Sequence, residues 1–226
     1  MKRPAYQLLA DELREEILEG RHRPGDRLPG EAELSATRGV SRSTVREAMR
    51  LLEAQQFVVT TRGTTGGSFV VHPRPGRIEN ELGTSLDLLV AHSSLTVDQI
   101  LEARELLEVP AAGLAARRRS ESDLGELGAC IEEGREGAER FHLVLLRASG
   151  NPLVEVMTRP LFAVQRNRMV RDRAPAAFWE IVEADHRRIL DLVRAGDAEG
   201  VQEAMRAHLR NLAAGQRRSE PHQSTG

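Results

Sequence analysis

Residues 27–53 read RLPGEAELSATRGVSRSTVREAMRLLE, and two helices with a tight turn between them follow from that stretch alone. Ser41 is a good N-cap, its side-chain oxygen able to accept from the first free backbone N–H groups of a helix. Beyond it Val45, Ala48, Met49 and Leu52 fall at i, i+3, i+4 and i+7, the spacing of one buried helix stripe. Arg42, Arg46 and Arg50, spaced by four, make a separate stripe that faces outward. Ser43 and Thr44 share the first turn with Arg42. Gly39 and Val40 supply the turn from a shorter helix over Glu31–Arg38, whose Leu34 and Ala36 are expected to pack inward.

Downstream, residues 57–71 read FVVTTRGTTGGSFVV, a β-prone run broken by glycines. Phe57, Val58 and Val59 pair with residues 68–71 in this reading, and Arg62, Gly63, Thr64, Thr65, Gly66 and Gly67 form the tip. Glycines there let backbone N–H groups approach a phosphate or the minor groove. Short helix, glycine turn, arginine-striped helix and glycine-tipped hairpin is the order of a winged helix-turn-helix, whose second helix enters the major groove. An arginine stripe alone is more often a solvated helix face. The surrounding order favours DNA, with Arg42, Ser43, Thr44, Arg46, Arg50, Arg62, Gly66 and Gly67 as the contact set.

LADELREEILEG, PGDRLPGEAELS, GVSRSTVREAMRLLE and GGSFV, within residues 6–71, resemble the GntR family of bacterial transcription regulators. In that family the positions of Arg42, Ser43, Arg46, Gly66 and Gly67 match the DNA-contacting set. One departure is Ala32, where members often carry an arginine between the two glutamates of the signature.

A winged helix needs about 70 residues, so a chain of 226 has room for a second core. Charge divides along the chain: residues 1–76 carry 12 Lys+Arg against 10 Asp+Glu, and residues 77–226 carry 20 against 24. The electrostatic bias toward DNA therefore sits at the amino end. The one cysteine, Cys130, excludes a disulfide framework and suits a reducing cytosol. No apolar run approaches the ~18 residues of a membrane span, so no membrane role and a cytoplasmic location are expected. The expected divisions are a DNA-binding domain over 1–72, a Pro/Gly joint over 73–77, an all-helical domain over 78–215 and a disordered tail over 216–226. The fold class is mainly α, with a small β-wing.

The carboxy-terminal segments read as helices throughout, including one with Ile78, Leu82, Leu86 and Leu89 and a longer one interrupted by Pro110. His186 lies on the stripe Val182, His186, Ile189, Val193, and His208 on Val201, Met205, His208, Leu212. His142, beside Phe141, can face inward in the same way. Three inward imidazoles on three helices either converge on one divalent metal, zinc or similar, or are ordinary buried histidines. Spacing alone does not decide between the two.

ILEARELLEVPAAGLAARR, RFHLVLLRASGNPL and EADHRRILDLVRAGDAEGVQEAMRAHL resemble the FCD ligand-sensing domain of the FadR subfamily. The resemblance implies a metal held by an aspartate four residues before the first histidine and by three histidines. His142, His186 and His208 match the histidines, and Ala138 stands at the aspartate position. It also implies that Arg104 reaches into the pocket and holds an effector carboxylate, as a planar guanidinium does in two-pronged fashion. An i, i+4 ion pair with Glu108 is the plainer reading of that arginine.

These readings together describe a transcription regulator that is not an enzyme. It is expected to bind an inverted-repeat operator as a homodimer, with affinity set by a small carboxylate in the helical domain. Two alternatives are an architectural DNA-binding protein with a non-sensing helical domain and a metal hydrolase fused to a DNA-binding domain. No HExxH spacing supplies a general base for the latter.

Overall fold

The computed structural model describes residues 3–63, 66–72, 74–92, 94–168 and 175–219. Among them are ten helices and one two-stranded antiparallel sheet, a mainly α chain with a β-wing. Contacts divide it into two compact units, Met1–Arg74 and Pro75–Gly226.

In the first unit α1 (Ala5–Leu18), α2 (Glu31–Arg38) and α3 (Arg42–Ala54) precede β1 (Val58–Thr61) and β2 (Gly67–Val70). The α3 stripe is the centre of its core: Val45, Ala48 and Leu52 are fully buried and Met49 nearly so, packed with Leu13 of α1 and Leu34 of α2. Gly39 ends α2 in the left-handed conformation, with φ 65°, which an L side chain rarely adopts. Ala36 is exposed rather than inward. Two residues on from Leu34, it is turned about 200° around the helix, away from the core side that Leu34 occupies. Buried Glu16 of α1 ties the unit together, accepting from Arg38 at 2.7 and 3.0 Å and from Arg21 at 3.1 Å. Burial works against that carboxylate, but the arginines outweigh it and hold its pKa below the usual value.

The hairpin pairs Val58 with Val70 and Thr61 with Gly67, so Gly67 belongs to β2 rather than to the tip. Thr64 and Thr65 of the expected tip lie outside the described residues.

The second unit comprises α4 (Pro75–Ala91), α5 (Val97–Arg118), α6 (Glu121–Glu132), α7 (Ala138–Ala148), α8 (Pro152–Arg168), α9 (Ala176–Ala195) and α10 (Ala198–Ser219). Capping boxes at Thr96 and Ser120 set the starts of α5 and α6. Pro110 does not interrupt α5, which continues through it. Helix α4 begins at Pro75, inside the expected joint, because proline suits the first turn of a helix, where its missing N–H has no partner to lose. Pro73 of that joint is outside the described residues. Along α4 the expected stripe is only partly inward: Leu82 and Leu86 are half-buried, whereas Ile78 and Leu89 are exposed and Val90 is buried instead. Helix α10 runs into the expected tail as far as Ser219, through Gln216, Arg217 and Arg218, which favour helix. The rest of that tail, residues 220–226, is not described. The main core gathers α5, α6, α7, α9 and α10 around Phe141, Leu127, Ile189 and Met205.

Candidate DNA interface and metal centre

In the first unit the amino end of α3 carries a compact polar cluster. Ser41 caps the helix by accepting from Thr44 N–H at 3.1 Å, and its hydroxyl lies 2.8 Å from those of both Ser43 and Thr44. Arg42, Ser43, Arg46 and Arg50 are exposed, and Thr44 is half-buried. Arg46 does not stand alone: its Nε and one terminal nitrogen lie 3.4 and 3.2 Å from the Glu31 carboxylate of α2. Arg50 pairs with Glu47 at 2.7 Å.

The wing is held to α3 by Glu53, which accepts from Thr60 N–H at 3.1 Å. Gly66 closes the loop by donating to Gly63 O, and a Cβ on it would meet Thr61 O at 2.5 Å. Only glycine fits that backbone approach. Arg62 is exposed beside it.

Arg27 is a residue that reading by motif passed over. It forms an isolated antiparallel bridge with Phe69, and a Cβ on Gly67 would lie 2.6 Å from the Arg27 Nε. Its guanidinium therefore lies against the wing glycine. The β-pairing partner of residues 26–28 would have had to be known to see this in the sequence.

In the second unit His142 of α7, His186 of α9 and His208 of α10 are buried and converge: one ligating nitrogen of each lies within 4.8 Å of the other two. The Nε2 of His208 is 3.2 Å from that of His142 and 3.3 Å from that of His186. A tetrahedral zinc with Zn–N of ~2.0–2.1 Å sets its ligand nitrogens ~3.3–3.4 Å apart, so these spacings fit one ion.

The outer nitrogens strengthen that fit. His142 Nδ1 lies 2.6 Å from Glu108 Oε2, and His208 Nδ1 lies 3.1 Å from Asp185 Oδ2. An ionised carboxylate only accepts, so each ring spends its N–H outward and, when neutral, turns a lone pair inward. Two such lone pairs 3.2 Å apart repel unless a cation lies between them. His186 is fixed differently, stacked on Phe141 at 4.1 Å between ring centroids.

Burial favours the neutral form of His142 and His186, the form in which an imidazole nitrogen can donate a lone pair. Burial pushes His142 down to about 4, and it pushes His186 well below its ordinary value. Burial opposes the Glu108 charge most strongly, but Arg104 and His142 together outweigh it and hold that carboxyl at about 2. Burial opposes Asp185 too, and the bonds from His208 and Asn211 still keep it below the usual carboxylate value.

Arg104 makes the i, i+4 ion pair: its Nε lies 2.5 Å from Glu108 Oε1, both side chains are buried, and its Cζ sits 4.3 Å above the Phe162 ring. Ala138, at the start of α7, is buried and offers no ligand. The two orienting carboxylates were not identified as such from sequence. Asp185 follows the face of α9 next to His186, and its reach to His208 depends on how α9 and α10 pack.

Residues 5–70 match the model of bacterial regulatory proteins of the gntR family, and residues 99–211 match that of the FCD domain. A regulatory protein of Escherichia coli (strain K12) named for the L-lactate dehydrogenase operon is 31% identical over 214 residues, covering 89% of this chain and 82% of that one. The HTH-type transcriptional regulator LutR of Bacillus subtilis (strain 168) is 31% identical over 211 residues, covering 87% and 94%. Among solved structures, a Streptococcus agalactiae GntR superposes with a TM-score of 0.65 at 25% identity, over 95% of this chain and all of that one. These relatives are regulators and not enzymes, which removes the hydrolase reading. No helix among the described residues is long and apolar enough to cross a membrane. The chain belongs to the GntR family of bacterial regulatory proteins, as a DNA-binding transcriptional regulator with an FCD domain.

Proposed function

We propose that this regulator senses a small carboxylate at a divalent metal held by His142, His186 and His208, and that the bound acid changes its affinity for an operator. The observation that carries the reading is the crowding of Nε2 atoms 3.2 and 3.3 Å apart, with two of the three rings donating outward to carboxylates. Such a nest is costly without a cation and suited to one with it. When bound, the metal supplies a Lewis-acidic position for a carboxylate oxygen. With alanine at 138 the protein contributes three neutral donors and leaves the anionic share to the ligand. Arg104 lies two bonding steps from the centre, through Glu108, and would take the far side of the acid in exchange for that glutamate.

On the DNA side, Arg42, Ser43, Thr44, Arg46 and Arg50 read and clamp the operator from α3. Arg62, Gly66 and Gly67 approach the backbone from the wing, joined by Arg27. The protein acts in the cytoplasm as a homodimer on an inverted repeat, since one recognition helix offers few base contacts for discrimination. The E. coli relative is named for an L-lactate dehydrogenase operon, which makes a 2-hydroxy acid the first probe.

The test is a thermal-shift panel of small organic acids, L-lactate included, on zinc-loaded and metal-stripped protein. Operator titrations at one salt concentration follow, because phosphate contacts make affinity salt-dependent. An acid that stabilises only the loaded protein and shifts operator affinity supports the reading. A protein indifferent to metal and to every acid returns the helical domain to an architectural role.

A further inference from the structure

Glu108 is bound on both sides at once. Its Oε1 lies 2.5 Å from Arg104 Nε, one turn back on α5, and its Oε2 lies 2.6 Å from His142 Nδ1 on α7. A second nitrogen of Arg104 reaches Oε2 only at 3.4 Å, so the two carboxylate oxygens are divided between the cation and the imidazole. The glutamate is 1% exposed, so no solvent stands in for either partner. Helix α5 supplies none of the three histidines, yet through this side chain it touches the first of them.

We propose that Glu108 is the positioning residue that couples Arg104 to the metal centre, sharing one carboxylate between guanidinium and His142 so that whatever engages Arg104 resets how strongly His142 binds metal. This rests on the metal reading given under Proposed function. The physical basis is competition for one negative charge. A carboxylate on the outer N–H of a ligating imidazole orients the ring and raises its basicity, an effect whose loss costs about 10- to 100-fold in metal affinity. Arg104 draws on the same charge and damps that effect. An acid that takes the guanidinium leaves Glu108 committed to His142, and the metal is held more tightly. By linkage, metal then raises the affinity for that acid by the same factor. The Phe162 ring beneath the guanidinium, 4.3 Å from Cζ, gives Arg104 a surface to stay on while its partner changes.

The experiment uses the full chain with zinc alone, measured by competition against a chromophoric chelator, and with cobalt(II) as the spectroscopic probe. Glu108→Gln should weaken zinc binding about 10- to 100-fold and shift the cobalt ligand-field bands. Arg104→Met should bind zinc more tightly than wild type. Removing one partner of a buried pair can unfold a protein, whereas removing both together is often tolerated. The double variant Arg104→Met/Glu108→Gln therefore carries the test if either single variant fails to fold. It should be as weak toward zinc as Glu108→Gln, since without the glutamate the arginine has nothing to damp. Wild-type affinity and an unchanged cobalt spectrum in folded Glu108→Gln or in the double variant overturn the proposal while leaving the metal site standing. Wild-type protein that takes up no zinc overturns the metal reading itself, and this coupling with it.

Discussion

Asp185 on α9 passes by its neighbour His186 and accepts from His208 on α10, with Asp185 Oδ2 3.1 Å from His208 Nδ1. One helix thus contributes a histidine to the cluster and the carboxylate that orients the next histidine. Asn211, one turn along α10, donates to the same Oδ2 at 2.9 Å and fixes the carboxylate in turn. Asp185→Asn keeps an acceptor for the ring N–H but loses the charge, so zinc affinity should fall about tenfold, and Asp185→Ala toward a hundredfold. Chelator competition on both variants measures the order. Equal affinities for Asn, Ala and wild type would show that the contact is only packing.

Arg46 is held in the free protein by Glu31, at 3.2 Å between exposed side chains. A base or phosphate contact through the same nitrogens requires that pair to open. Arg46→Ala should weaken binding to a selected operator by about 1–3 kcal/mol if the guanidinium reads a base edge. Glu31→Gln should strengthen it slightly, because the arginine no longer leaves a partner. Gel-shift titrations of the two variants should therefore move in opposite directions, and a shift of both in the same direction would take Arg46 off the contact face.

Stability of the metal-free protein should depend on pH in a defined window. His142 is lowered from an ordinary 6.5 to about 4, so between those values the unfolded chain takes up a proton that the folded chain refuses. The stabilisation is whole above pH 6.5 and is lost as pH falls toward 4. Glu108, lowered from 4.5 to about 2, extends the loss below that. Urea midpoints should drop through this window, and His142→Gln should flatten its upper part. A midpoint independent of pH from 7 to 4 would mean that the buried ring is not neutral in the folded state.

Ala138 stands one helical turn before His142 and is buried in the core. Ala138→Asp should destabilise the stripped protein by placing a carboxylate there unpaired, and should tighten zinc binding by adding an anionic ligand. Denaturation with and without zinc gives both signs in one experiment. A zinc-induced gain in stability no larger than that of wild type would place that carboxylate off the metal.

Much of this was legible because it depends on local rules. Ser41 as a cap, the stripe through Val45 and Leu52, and the inward faces of His186 and His208 follow from a period of 3.6 residues and from capping chemistry. Ala36 is exposed because it stands two residues, about 200° around α2, from the inward-facing Leu34, so the helix period itself turns it away from the core. What was not legible depends on which element lies beside which. Glu108 could be read as the partner of Arg104 four residues away, but its other oxygen belongs to a histidine 34 positions on. Arg27 meets Gly67 through its isolated bridge to Phe69, a pairing between segments distant in sequence. The missing N–H of Pro110 predicts a break, while the packing of α5 against α7, α9 and α10 keeps the helix continuous.

Elemental analysis of zinc-loaded, desalted protein tests directly whether the three histidines form one metal centre. Wild type should retain a single zinc per chain, and His186→Ala and His208→Ala should each lose it while staying folded by circular dichroism. Equal zinc in wild type and in the two variants, or none in any of them, would contradict the centre at His142, His186 and His208.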